Sequence, residues 1–179
     1  MNHNDLQHGL DADYDDLAQY ASWTAQEKYR GVRVFWDGYS ACTRQGKPIA
    51  LPDAAEWQLP EGIALDCELY DGIDGESRCA TAVRWGRFTK TMRLIAFDLP
   101  GSRNCWSERI EELSAMAHEW ADHPRLQFAP VVQVQTEPAL QALLAEVLAR
   151  GGEGLMLRHA DALYEPGRTT KLIKVKYSA

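Results

Sequence analysis

Hydrophobic and polar positions alternate in short runs along most of this chain. Val32, Val34 and Trp36 alternate with Arg33 and Phe35, a two-residue period that predicts a strand. Asp37-Gly38 follows as a tight turn, and residues 39–44 read as the returning arm of a hairpin. Further short apolar runs predict strands over residues 63–70, 93–99, 126–134, 154–158 and 172–176. Two stretches carry a helical period instead. Ser107 is placed to cap a helix whose Ile110, Leu113, Ala117 and Trp120 share a face. Thr136 is placed to cap another, with Leu140, Leu143, Leu144, Val147 and Leu148 inward and Gly151 stopping it. Residues 14–21 form a weaker third. Strands in runs with few helices between them predict an α+β fold with largely antiparallel sheets.

Composition narrows the class. The 179 residues are 45% hydrophobic and 25% charged, as in an ordinary globular protein, and suit a single core. No apolar run approaches the roughly 20 residues needed to span a bilayer, and Met1 to Asp5 lack the basic and apolar regions of a secretory leader. A cytoplasmic monomer is the expectation, or a periplasmic one if a leader has been removed.

The net charge of -7 excludes an evenly basic nucleic-acid coat, but the charge is uneven. Asp5, Asp11, Asp13, Asp15 and Asp16 stand in residues 1–22 with no Lys or Arg, so this acidic segment is set apart from a domain over 23–179. Arg78, Arg84, Arg87, Lys90 and Arg93 follow one another without an acid, and Lys171, Lys174 and Lys176 cluster near the end. Such patches attract polyanions through the local field. Cys42, Cys67, Cys79 and Cys105 form no C-x-x-C pair and have no metal-ligand spacing with histidine, so they read as free thiols.

The residues that carry chemistry come in a fixed order. Lys28 stands before a strand in Glu27-Lys28-Tyr29-Arg30-Gly31-Val32-Arg33. Asp66-Cys67-Glu68 and Phe97-Asp98-Leu99 put acids at strand ends. Gly152-Glu153-Gly154 opens another strand, and Lys174-Val175-Lys176 puts two lysines on one strand face. That order resembles the covalent nucleotidyltransferases (DNA ligases, RNA ligases and capping enzymes). The stretches 27–38, 65–69, 97–101 and 151–176 are most similar to the minimal bacterial ATP-dependent DNA ligases called ligase E.

The resemblance implies a nucleotidyltransferase adenylation fold and a role for each matched residue. Lys28 would be the nucleophile that takes AMP from ATP. Glu27 would lie at the adenine edge, Arg33 would meet phosphate or ribose, and Phe97 would stack on the base. Glu68 would bind ribose or metal, Glu153 metal, and Lys174 and Lys176 the α-phosphate. Arg44 would touch the nicked strand, and the basic run through Arg78, Arg84, Arg87 and Lys90 would track the backbone of nicked double-stranded DNA. The carboxylates are hard oxygen donors that suit Mg2+ or Mn2+. An amine attacks only when neutral, and Arg33, Lys174 and Lys176 are the cations expected around Lys28 to favour that form.

Two departures stand out. The usual nucleophile motif reads K-x-D-G, and here Arg30 replaces the acid; Cys67 replaces a customary glycine. The family carries an OB domain after the K-x-K strand, and this chain stops three residues after Lys176, so the expectation is either a protein that lacks that domain, with an OB domain or partner protein supplied in trans, or one adenylation domain of a longer protein. An RNA ligase or capping-type enzyme is one alternative reading, and a non-catalytic nucleotide- or nucleic-acid-binding module is another.

Overall fold

The computed structural model describes residues 6–12 and 14–176. Asp5 and Asp13 of the acidic segment lie outside them, as do the side chains of Asp15 and Asp16. Among the described residues eleven strands form two sheets. The six-stranded sheet is built from β3 (Val32–Trp36), β4 (Ala41–Thr43), β5 (Pro48–Ile49), β6 (Leu65–Tyr70), β7 (Arg93–Asp98) and β8 (Leu126–Phe128), in the order β5-β4-β3-β6-β7-β8. The five-stranded sheet is built from β1 (Gln7–Ala12), β2 (Thr24–Glu27), β9 (Val132–Gln133), β10 (Gly154–Arg158) and β11 (Gly167–Lys176), in the order β1-β11-β10-β2-β9.

Helices α1 (Glu76–Trp85) and α2 (Trp106–Glu119) cover the larger sheet, whose core includes Val34, Leu65, Leu69, Cys79, Leu94 and Trp106. Helix α3 (Glu137–Ala149) packs Leu140, Leu144 and Val147 against Ala25, Leu155, Leu157 and Val175 of the smaller one. Among the described residues no helix is long and apolar enough to cross a membrane.

The strand over Val32–Trp36 and its hairpin agree with the alternation of the sequence, and Thr136 does cap α3, its Oγ1 accepting from Ala139 N at 3.4 Å. Other expectations are corrected. Ser107 lies inside α2; the cap is Cys105, paired with Glu108 in a capping box in which Cys105 N donates to Glu108 Oε2 at 3.0 Å. Residues 126–134 are two strands rather than one. Ala129 N still bonds Ala96 O, but Pro130 has no amide to continue the ladder, and the chain crosses to pair with β2 in the other sheet. The sheets are largely antiparallel, as the sequence predicts, with β1–β11 and β7–β8 as the parallel pairings among the described residues. Residues 14–20 form a 3-10 helix.

The acidic segment is woven into the fold. Gln7–Ala12 pairs along β11, and Leu17 is fully buried. Helix α1, which opens at Glu76 and leads into the basic run, is an element the sequence pattern does not predict; Cys79 and Ala82 are its buried residues.

One ionic group joins the sheets. Asp98 closes β7, and its carboxylate accepts from Arg109 Nε (2.7 Å) and Nη2 (3.2 Å) of α2 and from Arg158 Nη1 (2.5 Å) at the end of β10. Asp98 and Arg109 are fully buried and Arg158 is nearly so. Burial pulls the Arg158 pKa down, against Asp98, which supports its charge. Its guanidinium lies 4.0 Å from the Trp106 ring centroid, a favourable cation–π arrangement in a desolvated site. Removing one partner leaves a buried charge uncompensated. Arg109→Met is therefore expected to lower unfolding free energy by about 3 kcal/mol or more, measured by urea denaturation; a loss below about 1 kcal/mol would show that the cluster does not tie the sheets.

Candidate active site

A cavity of about 370 Å³ opens between the two sheets, within the range of small-molecule sites. Lys28 enters it at the end of β2, where its backbone N donates to Gly154 O at 2.9 Å. The chain then turns into β3 through Gly31. A Cβ there would lie 2.0 Å from Leu69 O, so only glycine lets the turn pass β6 this closely. Gly154 plays the same part across the cleft, with φ at 145° and Val175 O 2.1 Å from where a Cβ would stand.

The Lys28 ammonium donates to Glu153 Oε2 at 2.5 Å, and Lys176 Nζ lies 3.0 Å from Glu153 Oε1. One carboxylate thus bridges two lysines. Burial alone would raise the Glu153 pKa, but the two lysines outweigh it and hold the group below its ordinary value. The cations expected to crowd Lys28 are therefore not its direct partners: an acid is, and Lys176 shares that acid. Lys174 takes a different one, Asp11 Oδ1 at 3.1 Å, which the hydrogen bond keeps more readily ionised. The acidic segment thus reaches the site.

Across the cavity, Arg33 of β3 faces Glu68 of β6 in register. Its guanidinium donates to Asp66 through Nε (2.8 Å) and Nη2 (2.5 Å) and contacts His8 Nδ1 at 3.2 Å. Burial works against the charge on Arg33, and Asp66 more than restores it. The Tyr164 hydroxyl donates to the same Asp66 at 2.6 Å. Glu68 forms no ion pair among the described residues and accepts a backbone hydrogen bond from Gly31. Burial pushes its carboxyl up to about 8, although Lys28 and Arg33 pull the other way. Phe97 lines the cavity, with Arg33 Cζ 5.6 Å from its ring centroid.

The structure thus gathers Lys28, Arg33, Arg44, Glu68, Phe97, Lys174 and Lys176 around one cavity, with Glu153 bonded into it. Arg78, Arg84, Arg87 and Lys90 are not part of its wall. Arg78 is also taken: Asp71 accepts from its Nε at 2.5 Å.

Glu27 differs from its expected place. It borders the cavity, but its carboxylate accepts from Arg150 Nη2 at 2.6 Å, beside α3. Residues alternate along β2, so Gln26 shares a face with Lys28. Gln26 is buried and gives its amide hydrogens to Phe97 O (3.4 Å) and Ala129 O (3.3 Å), which leaves Oε1 as an acceptor. Period two counted back from Lys28 is the signal that could have found it. Met156, Arg158, Tyr164 and His8 also line the cavity and carried no sequence signal.

Comparison with known proteins decides the family. A model of the ATP dependent DNA ligase domain matches residues 13–176. The chain belongs to the ATP-dependent DNA ligase domain family. A DNA ligase from Haemophilus influenzae is 29% identical over 158 residues, covering 86% of this chain and 58% of that protein. A Lig E DNA ligase structure is 30% identical, with a TM-score of 0.80 over 97% of this chain and 68% of its own. A Chlorella virus DNA ligase-adenylate shares the fold at 20% identity, with a TM-score of 0.76 over 97% of this chain and 67% of its own.

For a ligase-family domain that takes ATP, the two β2 neighbours have different weights. Gln26→Leu is expected to weaken ATP binding about tenfold, while Glu27→Gln changes it by about twofold or less, both by calorimetric titration. The reverse order would put Glu27, not Gln26, at the base.

Proposed function

We propose that this chain is the adenylating domain of a DNA ligase that seals nicks in double-stranded DNA. The observation that carries the reading is Lys28, held by Glu153 at 2.5 Å in a cavity shared with Lys174, Lys176, Glu68 and Phe97. In the first step the neutral Lys28 amine attacks the ATP α-phosphorus. A P–N bond forms, the bond to the bridging oxygen breaks, and pyrophosphate leaves. AMP then passes to the 5′-phosphate at the nick. The 3′-hydroxyl attacks that phosphate, and AMP departs as the new phosphodiester closes. Each step moves a phosphoryl group, so orientation and cations do most of the work.

The proton on Lys28 must go before it attacks. Glu153 is the base in contact, and an incoming triphosphate would compete with it for Lys28 and Lys176. Lys176 and Lys174 would then face the α-phosphate. Phe97 offers a flat face for the purine, and Gln26 an acceptor for an exocyclic amine. Arg44, exposed at the cavity rim, would meet the DNA near the nick.

A divalent cation fits this donor set. Glu68 is a hard oxygen donor whose charge burial disfavours, and a nearby cation would offset that cost. Glu68 and Glu153 would hold Mg2+ or Mn2+ jointly with phosphate oxygens and water, since the described residues contain no group of three or more carboxylate, histidine or cysteine ligands. Such an ion supplies charge neutralisation on the transferring phosphoryl group.

Intact-mass measurement after incubation with ATP and Mg2+ tests the reading. The wild-type chain is expected to gain one AMP and Lys28→Ala none. No adduct on the wild type, together with no sealing of a pre-adenylated nick, would falsify it. Arg30 is exposed and next to the reacting lysine's neighbour. Arg30→Asp is expected to speed sealing of a pre-adenylated nick about tenfold, a change of about 1.4 kcal/mol in barrier; an unchanged rate would show that Arg30 is neutral to that step.

A further inference from the structure

The end of α1 and the turn after it carry charge that the proposed chemistry leaves unused. From Ser77 through Phe97 the chain has no acid and five basic residues. The structure sorts these five. Arg78 is neutralised by Asp71, and Arg93 lies 5.6 Å from the Tyr70 ring centroid. Arg84, Arg87 and Lys90 are exposed, and among the described residues none of them forms an ion pair. Trp85 stands between the first two. It is 63% exposed, and Arg84 Cζ lies 4.8 Å from its ring centroid.

This surface is anchored from beneath. Gly86 ends α1 in the left-handed conformation and turns the chain. Phe88 packs edge-on against Trp57, with centroids 5.2 Å apart. The Arg125 guanidinium donates to the carbonyls of Lys90 and Met92 and to Glu56. The backbone of the turn is therefore fixed, while three cations that form no ion pair among the described residues remain outside beside an exposed indole, with Arg84 over one face of that ring. A rigid group of unpaired cations around an exposed aromatic ring matches a ligand with regularly spaced anions and flat, partly apolar surfaces.

Position adds to the argument. The loop before α1 carries Ile73, which packs against Gly151, two residues from Glu153. The ten residues of α1 lead away from that loop. At 1.5 Å per residue they span roughly 15 Å, which is about four or five phosphate steps at roughly 3.4 Å along one strand.

We infer that Arg84, Trp85, Arg87 and Lys90 form a second contact surface for duplex DNA, gripping the phosphate backbone several steps from the reacting ends. The cations take phosphates, and the open face of Trp85 packs against sugar. This rests on the ligase reading, and it departs from a continuous basic track, because Arg78 and Arg93 are committed elsewhere.

The test is fluorescence anisotropy with a labelled nicked duplex over a salt series. Arg84→Gln/Arg87→Gln/Lys90→Gln is expected to bind about tenfold more weakly near 0.1 M salt, and to lower the slope of log affinity against log salt by about two to three. Trp85→Ala is expected to weaken binding about fivefold with the slope unchanged. Arg103→Gln, an exposed cation elsewhere, controls for net charge, and thermal unfolding checks that each variant folds. If the triple variant keeps wild-type affinity and slope, or Arg103→Gln loses as much per charge, the surface is overturned. Wild-type protein that gains AMP in those cases leaves the ligase reading intact. Wild-type protein that neither gains AMP nor binds the duplex overturns both.

Discussion

The width of the cleft depends on one carboxylate. Asp98 ends a strand of the larger sheet, Arg158 ends a strand of the smaller, and Arg109 comes from α2; all three meet out of contact with water. Two guanidinium groups on one carboxylate leave a surplus of positive charge, and Trp106 partly offsets it with its ring face. Trp106 in turn donates its indole N–H to Thr24 Oγ1 at 2.6 Å, which brings β2 into the same group. Phe97 is the neighbour of Asp98, and Lys28 follows β2. A shift in this ionic contact would move the aromatic wall and the reacting amine relative to each other, at a site where small displacements are costly.

Inside the cleft four cations, Lys28, Arg33, Lys174 and Lys176, already have an acid. Glu153 holds Lys28 and Lys176, Asp11 holds Lys174, and Asp66 holds Arg33. Pairing keeps flexible side chains oriented before a ligand arrives, and a polyphosphate then exchanges for carboxylates rather than ordering free lysines. Glu68, half-buried and without an ion pair among the described residues, stands outside this scheme, and burial opposes its charge.

Much of this was legible in the residues. Alternation found β3 and its hairpin, because Val32, Val34 and Trp36 pack on the core of the larger sheet while Arg33, on the other face, turns to the cavity. The ordered motifs found the cavity, because they lie in or beside the strands that line the cleft. The misses have physical causes. Gln26 looks like a polar residue in a short strand, and only the facing carbonyls of Phe97 and Ala129 give it a fixed role. Arg109 sits on the inner face of α2 as a charge, so an apolar pattern passes over it; its partner Asp98 is distant in sequence. Cys105 replaced Ser107 as the cap because the reciprocal bonds with Glu108 decide the boundary, and a thiol can fill that place. The acidic segment looked like a detached tail because its charge hides that Gln7–Ala12 supplies a strand and Leu17 a core residue.

The parallel pairing of β1 with β11 has a consequence for how the molecule is made. The strands of the larger sheet, with α1 and α2, lie within residues 32–128, so that half has its whole complement while synthesis is still under way. The smaller sheet joins residues 7–12 to 167–176 and cannot close until the last strand leaves the ribosome. Glu153, Lys174 and Lys176 arrive with that late half. On a growing chain, Lys28 therefore waits beside a nearly finished scaffold with its charge partner not yet made, and the reactive centre is the last part of this domain to assemble.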